Sequence, residues 1–264
     1  MDVTEPTHFI TVEGISFHVE QVPGEPATIF LHGFAGDMAS WSLVWDQLPE
    51  NFPRIRYDLR GFGLSKITVP EPFSHTSDLL SLVNSLNLSR FNVVGLSMGG
   101  AIALNFALGY PQRLNKLVLL SPGLVGWQWS EPWVEKWRSI TAAARSGNMA
   151  TAKQSWWQHP LFDTTRRTAD ANLLYDSIAR YSGEEWLKDY QQEALPDIDR
   201  LITLQVETLL LTGERDLDDF RLIASLIENA AQRVTRVDHQ GLGHLINIES
   251  PAVVAEHILD FLTD

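Results

Sequence analysis

Three residues able to carry nucleophilic chemistry stand in a definite order along the chain. They are a serine in Gly95-Leu96-Ser97-Met98-Gly99, an aspartate in Gly213-Glu214-Arg215-Asp216 and a histidine in Gly243-His244. A serine hydroxyl is a weak nucleophile until a base takes its proton, and the base must be held in one tautomer by a third group. Serine, then acid, then histidine is the order found with a Gly-x-Ser-x-Gly turn on a strand-to-helix corner. Such a set would attack a carbonyl carbon. The oxyanion formed there needs two backbone donors, and the amides of Met98, at the start of the following helix, and of Phe34, in His32-Gly33-Phe34, are the candidates.

Each role has rivals. Glu214, Asp218 and Asp219 lie beside Asp216. The orienting acid should sit in the strand-end turn, however, and Asp218 and Asp219 read as first-turn residues that suit the positive end of a helix. His239 rivals His244, but it falls at the end of a strand, whereas His244 lies in a loop free to reach Ser97. His8, His18, His75, His159 and His257 read as surface or core histidines, and His32 as a brace for its loop.

Other chemistries are narrowed by composition. The 264 residues include no cysteine, so a thiolate nucleophile, a thiolate metal site and a disulfide framework are all excluded. No metal or cofactor is called for. A net charge of -13 without a local lysine or arginine cluster repels nucleic acid and fits a neutral or hydrophobic small molecule. Met1–Pro6 has neither a basic nor an apolar leader region, and the most apolar run, 93–108, is too short and too interrupted for a membrane span. The expectation is a cytoplasmic protein without membrane insertion.

The elements that must position these residues alternate. Strands are predicted at His8–Val12 and Ile15–Val22 around Glu13-Gly14, then at 27–31, Arg54–Tyr57, 91–94, 116–120, 208–212 and 233–237. Helical spacing appears in Trp41, Val44, Trp45 and Leu48 before Pro49, and in Leu79, Leu82, Val83 and Leu86. It returns after the serine turn, in Ile223, Leu226 and Ile227, and in a last helix from Pro251. Repeated alternation predicts a mostly parallel sheet with helices on both faces, so Phe34, Ser97, Asp216 and His244 converge along one strand edge.

Alternation stops at Ser121-Pro122-Gly123. Seven of the nine tryptophans lie between there and Leu204, which marks this stretch as something other than more sheet. It reads as a helical cap over 122–199, inserted in a core formed by 1–121 and 200–264. Trp133, Trp137, Ile140 and Ala144 mark one of its helices, and Trp127, Trp156 and Trp157 are candidates to line a substrate pocket, since pockets are largely apolar and aromatic. An anionic substrate would need a local cation, with Arg138, Arg166 and Arg167 the candidates.

Taken together, His-Gly-Phe at 32–34, Asp-x-Arg-Gly-x-Gly-x-Ser at 58–65, Gly-Leu-Ser-Met-Gly-Gly at 95–100, Gly-x-x-Asp at 213–216 and Gly-His at 243–244 resemble the α/β-hydrolase superfamily over the whole chain. The elbow and the 57–63 loop are most similar to the 3-oxoadipate enol-lactonase and small carboxylesterase branch. The resemblance implies a small ester or lactone substrate, with Ser97, His244 and Asp216 as triad. Two alternatives keep the same triad: hydrolases of carbon-carbon bonds and the pyruvate-eliminating synthase of menaquinone synthesis. The synthase usually has arginine directly after the elbow glycines, where this chain has Ala101. A ligand-binding receptor on the same fold is the alternative of another class.

Overall fold

The computed structural model describes residues 7–68, 71–188, 190 and 195–263; the Met1–Pro6 leader reading falls outside them. Eight strands form one sheet: β1 (His8–Val12), β2 (Ile15–Val22), β3 (Thr28–Leu31), β4 (Arg54–Tyr57), β5 (Phe91–Leu96), β6 (Leu114–Leu120), β7 (Glu207–Gly213) and β8 (Val234–His239). Their spatial order is β1-β2-β4-β3-β5-β6-β7-β8. β1 and β2 pair antiparallel, as do β2 and β4, and every pairing from β4 through β8 is parallel. Glu13 and Gly14 both take positive φ (52° and 83°), the pairing a tight hairpin with right-handed strand twist requires.

The central parallel strands β3, β5 and β7 are near-continuous apolar runs because both of their faces are covered. β3 and β5 are buried at every position, and β7 at all but its first. Parallel strands share one direction, so β3, β5, β7 and β8 deliver their C-terminal loops to the same edge of the sheet. Pairing of β6 with β7, Leu117 opposite Thr208, continues the sheet across a long helical insert that contributes no strand among the described residues. That insert holds helices at Glu131–Arg145, Met149–Trp157, Ala171–Arg180 and Glu184–Leu187.

One helix is shorter than its spacing predicts. Trp41, Val44, Trp45 and Leu48 are all buried, but the first three lie on a 3-10 turn at Met38–Trp41 and one α turn at Ser42–Trp45, and Leu48 follows in the bend beyond them. The Asp37 side chain accepts from the Ala39 amide and starts the turn early, and Pro49 ends the run. No helix among the described residues is long and apolar enough to cross a membrane.

His75 is a polar residue buried without a polar partner among the described residues. It is 3% exposed, neither ring nitrogen meets a hydrogen-bond partner among them, and its ring packs 5.1 Å from Phe73. Burial first, then the nearby His32 and Arg60, pushes its pKa down to about 3. The sign follows from linkage. Below the ordinary value of 6.5 the unfolded chain takes up a proton that the folded chain declines, so stability is lost as pH falls from 6.5 toward 3. A His75→Leu variant should therefore be at least as stable as the parent at pH 7.5 and gain further on it at pH 4.5. Melting curves of both proteins at the two pH values check this. A difference in Tm that stays constant with pH would contradict it.

Candidate functional site

Ser97 sits between the end of β5 and the Met98–Gly109 helix with φ 54° and ψ -113°, a conformation L-residues avoid. The strain is held by its surroundings. The Ser97 amide donates to Leu120 O at 2.9 Å, and Ser97 O accepts from Ala101 N at 3.0 Å and from Gly123 N at 2.9 Å. Glycine is required on both sides. A Cβ on Gly95 would come within 3.0 Å of the Gly99 backbone, and one on Gly99 within 3.0 Å of the Leu31 and His32 carbonyls.

His244 and Asp216 form a buried pair, each with a side chain 1% exposed. His244 Nδ1 lies 2.9 Å from Asp216 Oδ2 and 3.0 Å from Oδ1, and Oδ1 also accepts from the Leu217 amide at 2.7 Å. A carboxylate only accepts, so this contact puts the imidazole proton on Nδ1 and leaves Nε2 as a lone pair. Nε2 is buried and has no hydrogen-bond partner among the described residues, and Ser97 and His244 line the same cavity. The two supporting loops are stitched together: Glu214 N donates to His239 O at 3.0 Å and Arg215 N to Leu242 O at 2.8 Å.

The rival residues are placed elsewhere. His239 stands beside His257, with ring centroids 5.1 Å apart, and does not line the cavity. Glu214 accepts from the Gly241 amide at 3.0 Å. Asp219 is not merely a first-turn charge. It is buried and accepts from Ser130 Oγ at 2.6 Å, Ser130 N at 3.1 Å and Trp127 Nε1 at 3.0 Å.

The two candidate oxyanion amides have a physical basis in the backbone. The Met98 N–H opens a twelve-residue helix and has no intrahelical acceptor. Among the described residues the Phe34 N–H likewise donates to no carbonyl or side chain. Its direction is set by the other side of the same peptide. Gly33 O accepts from His32 Nδ1 at 2.8 Å and from Gly36 N at 3.2 Å, and a trans peptide points its N–H opposite its C=O. His32 Nε2 in turn accepts from Leu59 N at 3.0 Å, and burial holds the ring's pKa below its ordinary value, so the brace is neutral.

The cavity has a volume of about 320 Å³. The core contributes Phe34, Ser97, Met98 and His244 to its wall, and the insert contributes Trp129, Trp133, Trp137, Trp156, Phe162 and Leu174. Of the three tryptophans singled out from sequence, Trp156 lines it. Trp127 does not, because its indole N–H is turned to Asp219; Trp157 does not, because its ring meets Tyr175 at 5.3 Å and the Arg166 guanidinium at 5.9 Å. Trp129, Trp133 and Trp137 were missed as lining residues. The available signal is partial: Trp133 and Trp137 stand four residues apart on one face of the Glu131–Arg145 helix, whereas Trp129 precedes that helix and reaches the wall by stacking on Trp133.

His159 is buried beside this wall, 5.2 Å from the Trp133 ring, with Nδ1 accepting from Leu161 N at 3.1 Å. Burial, then Lys136, His244 and Arg166, pushes its pKa down to about 4, so it is neutral near pH 7. Arg138, Arg166 and Arg167 do not line the cavity. Arg166 is occupied by Asp163 and by the Trp157 and His159 carbonyls.

Insert and core meet through a repeated device in which a core carboxylate accepts from a hydroxyl of the insert. Asp37 takes Ser177 Oγ at 3.2 Å and pairs with Arg180 at 2.7 Å. Asp219 takes Ser130 Oγ, and Glu249 takes Thr165 Oγ1 at 2.6 Å while also accepting from the amide of Gly243, next to His244. The three carboxylates follow the Phe34 loop, the Asp216 turn and the His244 loop respectively. Phe34 adds an apolar tie, with ring contacts to Trp137 at 5.0 Å, Trp156 at 5.6 Å and Tyr181 at 5.6 Å.

Known proteins share this architecture. The 2-succinyl-6-hydroxy-2,4-cyclohexadiene-1-carboxylate synthase of Klebsiella pneumoniae subsp. pneumoniae is 30% identical over 240 residues, covering 88% of this chain and 92% of that one. A thermophilic esterase from Thermogutta terrifontis superposes with a TM-score of 0.82 at 24% identity, over 98% of both chains. The enol-lactonase of Burkholderia xenovorans LB400 superposes at 0.79 with 21% identity, over 97% of this chain and 100% of that one. The profile of the Alpha/beta hydrolase family matches residues 28–257. With the sheet order, the strained serine corner and this match in agreement, the chain belongs to the alpha/beta hydrolase family.

Proposed function

We propose that the chain is a serine-nucleophile enzyme that cleaves a small carboxylic ester or lactone through an acyl-enzyme, with the helices of 122–199 acting as a cap over a core of 1–121 and 200–264. The observation that carries this reading is the unpartnered Nε2 of an aspartate-held His244 on the same cavity as the strained Ser97. Ser97 Oγ attacks the carbonyl carbon while His244 Nε2 takes its proton. The carbonyl oxygen, now negative, is met by the Phe34 and Met98 amides, and Asp216 stabilises the imidazolium. His244 returns the proton to the leaving oxygen, then draws one from water as the acyl-enzyme is hydrolysed. No Ser97–His244 hydrogen bond is formed in the free protein, a contact that commonly tightens only when substrate is bound.

A second reading is pyruvate elimination by the same three residues. The synthase name recurs among the relatives near 30% identity, and by similarity alone it stands ahead of ester hydrolysis. The cavity wall favours the ester, because a succinyl cyclohexadiene carboxylate carries two carboxylates and no lysine or arginine lines the wall. Steady-state hydrolysis of p-nitrophenyl butyrate, run beside pyruvate release from the synthase substrate, separates the two. Ester turnover without pyruvate release is expected, and the reverse result would replace the first reading by the second. Mass-spectrometric mapping of a phosphonate adduct to Ser97, with turnover of neither compound, would point to a ligand receptor on this fold.

A further inference from the structure

Resting on the serine-nucleophile reading, we infer that the cavity selects an uncharged, apolar acyl group or lactone ring and rejects one that carries a carboxylate. Its side chains are aromatic or aliphatic apart from Ser40, Ser97, Ser177 and His244. All 20 lysines and arginines of the chain fall within the described residues, and none lines the cavity.

Two cations behind the wall are already committed. Arg180, which donates to Ser177, is paired with Asp37, and Arg166, which donates to the His159 carbonyl, is also held by Asp163 and the Trp157 carbonyl. His159 itself is neutral. Four carboxylates, Asp37, Asp216, Asp219 and Glu249, are tied to the elements that form the wall, and they add nothing that would attract an entering anion. The N-terminus of the Met98–Gly109 helix contributes positive potential at Ser97, and the reacting carbonyl oxygen uses it.

Size and polarity then set the selectivity. At ~30 Å³ per water-sized group, about 320 Å³ holds on the order of ten non-hydrogen atoms, an eight-carbon acyl chain or a substituted ring. Each methylene moved from water into such a wall favours binding about fourfold. A terminal carboxylate placed there would lose its hydration and find no donor in return.

Three p-nitrophenyl ethyl phosphonates test this on the intact protein, with the phosphorus substituent n-butyl, n-octyl or 7-carboxyheptyl. In each reaction the Ser97 Oγ–phosphorus bond forms, the phosphorus–oxygen bond to nitrophenolate breaks, and His244 takes the serine proton, so the release of nitrophenolate reads the rate. The octyl compound should react about 250-fold faster than the butyl and at least 100-fold faster than the carboxyheptyl. Equal or faster labelling of Ser97 by the carboxyheptyl compound would overturn the inference while leaving the nucleophile in place. No labelling by any of the three would instead overturn the serine-nucleophile reading. A Val134→Lys variant gives an independent check, because Val134 lines the cavity at its exposed rim, where a lysine can keep its hydration. It should narrow the octyl-to-carboxyheptyl ratio about tenfold; an unchanged ratio would count against charge as the basis of selection.

Discussion

Ser97→Ala lowers kcat/KM for a neutral p-nitrophenyl ester by about 10,000-fold or more, with little change in KM. The expectation follows from what alanine keeps and what it removes. Its Cβ suits the same φ of 54° no worse than serine does, and the three backbone hydrogen bonds at the corner involve no side-chain oxygen, so the elbow survives. The Phe34 and Met98 amides and the cavity wall survive as well, which leaves a residual rate above that in water. Only the attacking oxygen is lost. Circular dichroism and Tm should match the parent, and the measurement is steady-state kinetics on the refolding-competent variant. Turnover within tenfold of the parent would remove Ser97 from the mechanism.

Asp216→Asn should come close in size, about a 10,000-fold loss in kcat, for a different reason. Both Asp216 oxygens face His244 Nδ1, and Oδ1 also accepts from Leu217 N. An asparagine keeps one oxygen for the Leu217 amide and turns its NH₂ toward the imidazole. A donor there makes Nδ1 the acceptor and moves the proton to Nε2, where it blocks the uptake of the serine proton. The pair is buried, so water does not readily substitute for the missing carboxylate. Nitrogen chemical shifts of His244 would show the tautomer reversed, a signature that simple loosening of the loop would not produce. A variant with the reversed tautomer and undiminished kcat would sink the assignment of His244 as base.

The sheet was legible because its strands are apolar runs ended by glycine, proline or acidic clusters. Periodicity missed only their ends, as at β5, where Gly95 and Leu96 belong to the strand. Ser97, Asp216 and His244 were legible because each follows a strand closely, and parallel strands carry their C-termini to one edge. The ties between insert and core were not. Asp37 and Ser177 stand 140 residues apart and Ser130 and Asp219 stand 89 apart, so no local pattern marks them. The wall residues failed for a subtler reason: Trp127 and Trp129 are neighbours in sequence, yet Trp127 is held by Asp219 while Trp129 stacks on Trp133 at 4.5 Å. Composition shows that aromatic side chains are present, and only the tertiary partners of each ring show which of them line the cavity.

The insertion of the helical segment between β6 and β7 also bears on how this protein could diverge. Leu117 and Thr208 pair although the entire segment lies between them, and the entropy of closing such a loop grows only logarithmically with its length. Doubling the segment adds about 0.6 kcal/mol, a small part of the 5–15 kcal/mol typical of a folded domain. Resizing or replacing these helices therefore leaves the sheet and the edge that carries Ser97, Asp216 and His244 almost untouched. The constraint on any replacement is chemical: it must bring a hydrogen-bond donor to Asp219, whose donors among the described residues all come from this segment, and preferably to Asp37 and Glu249, which otherwise keep only core amides. Selectivity can drift quickly on such a scaffold while the reaction stays the same.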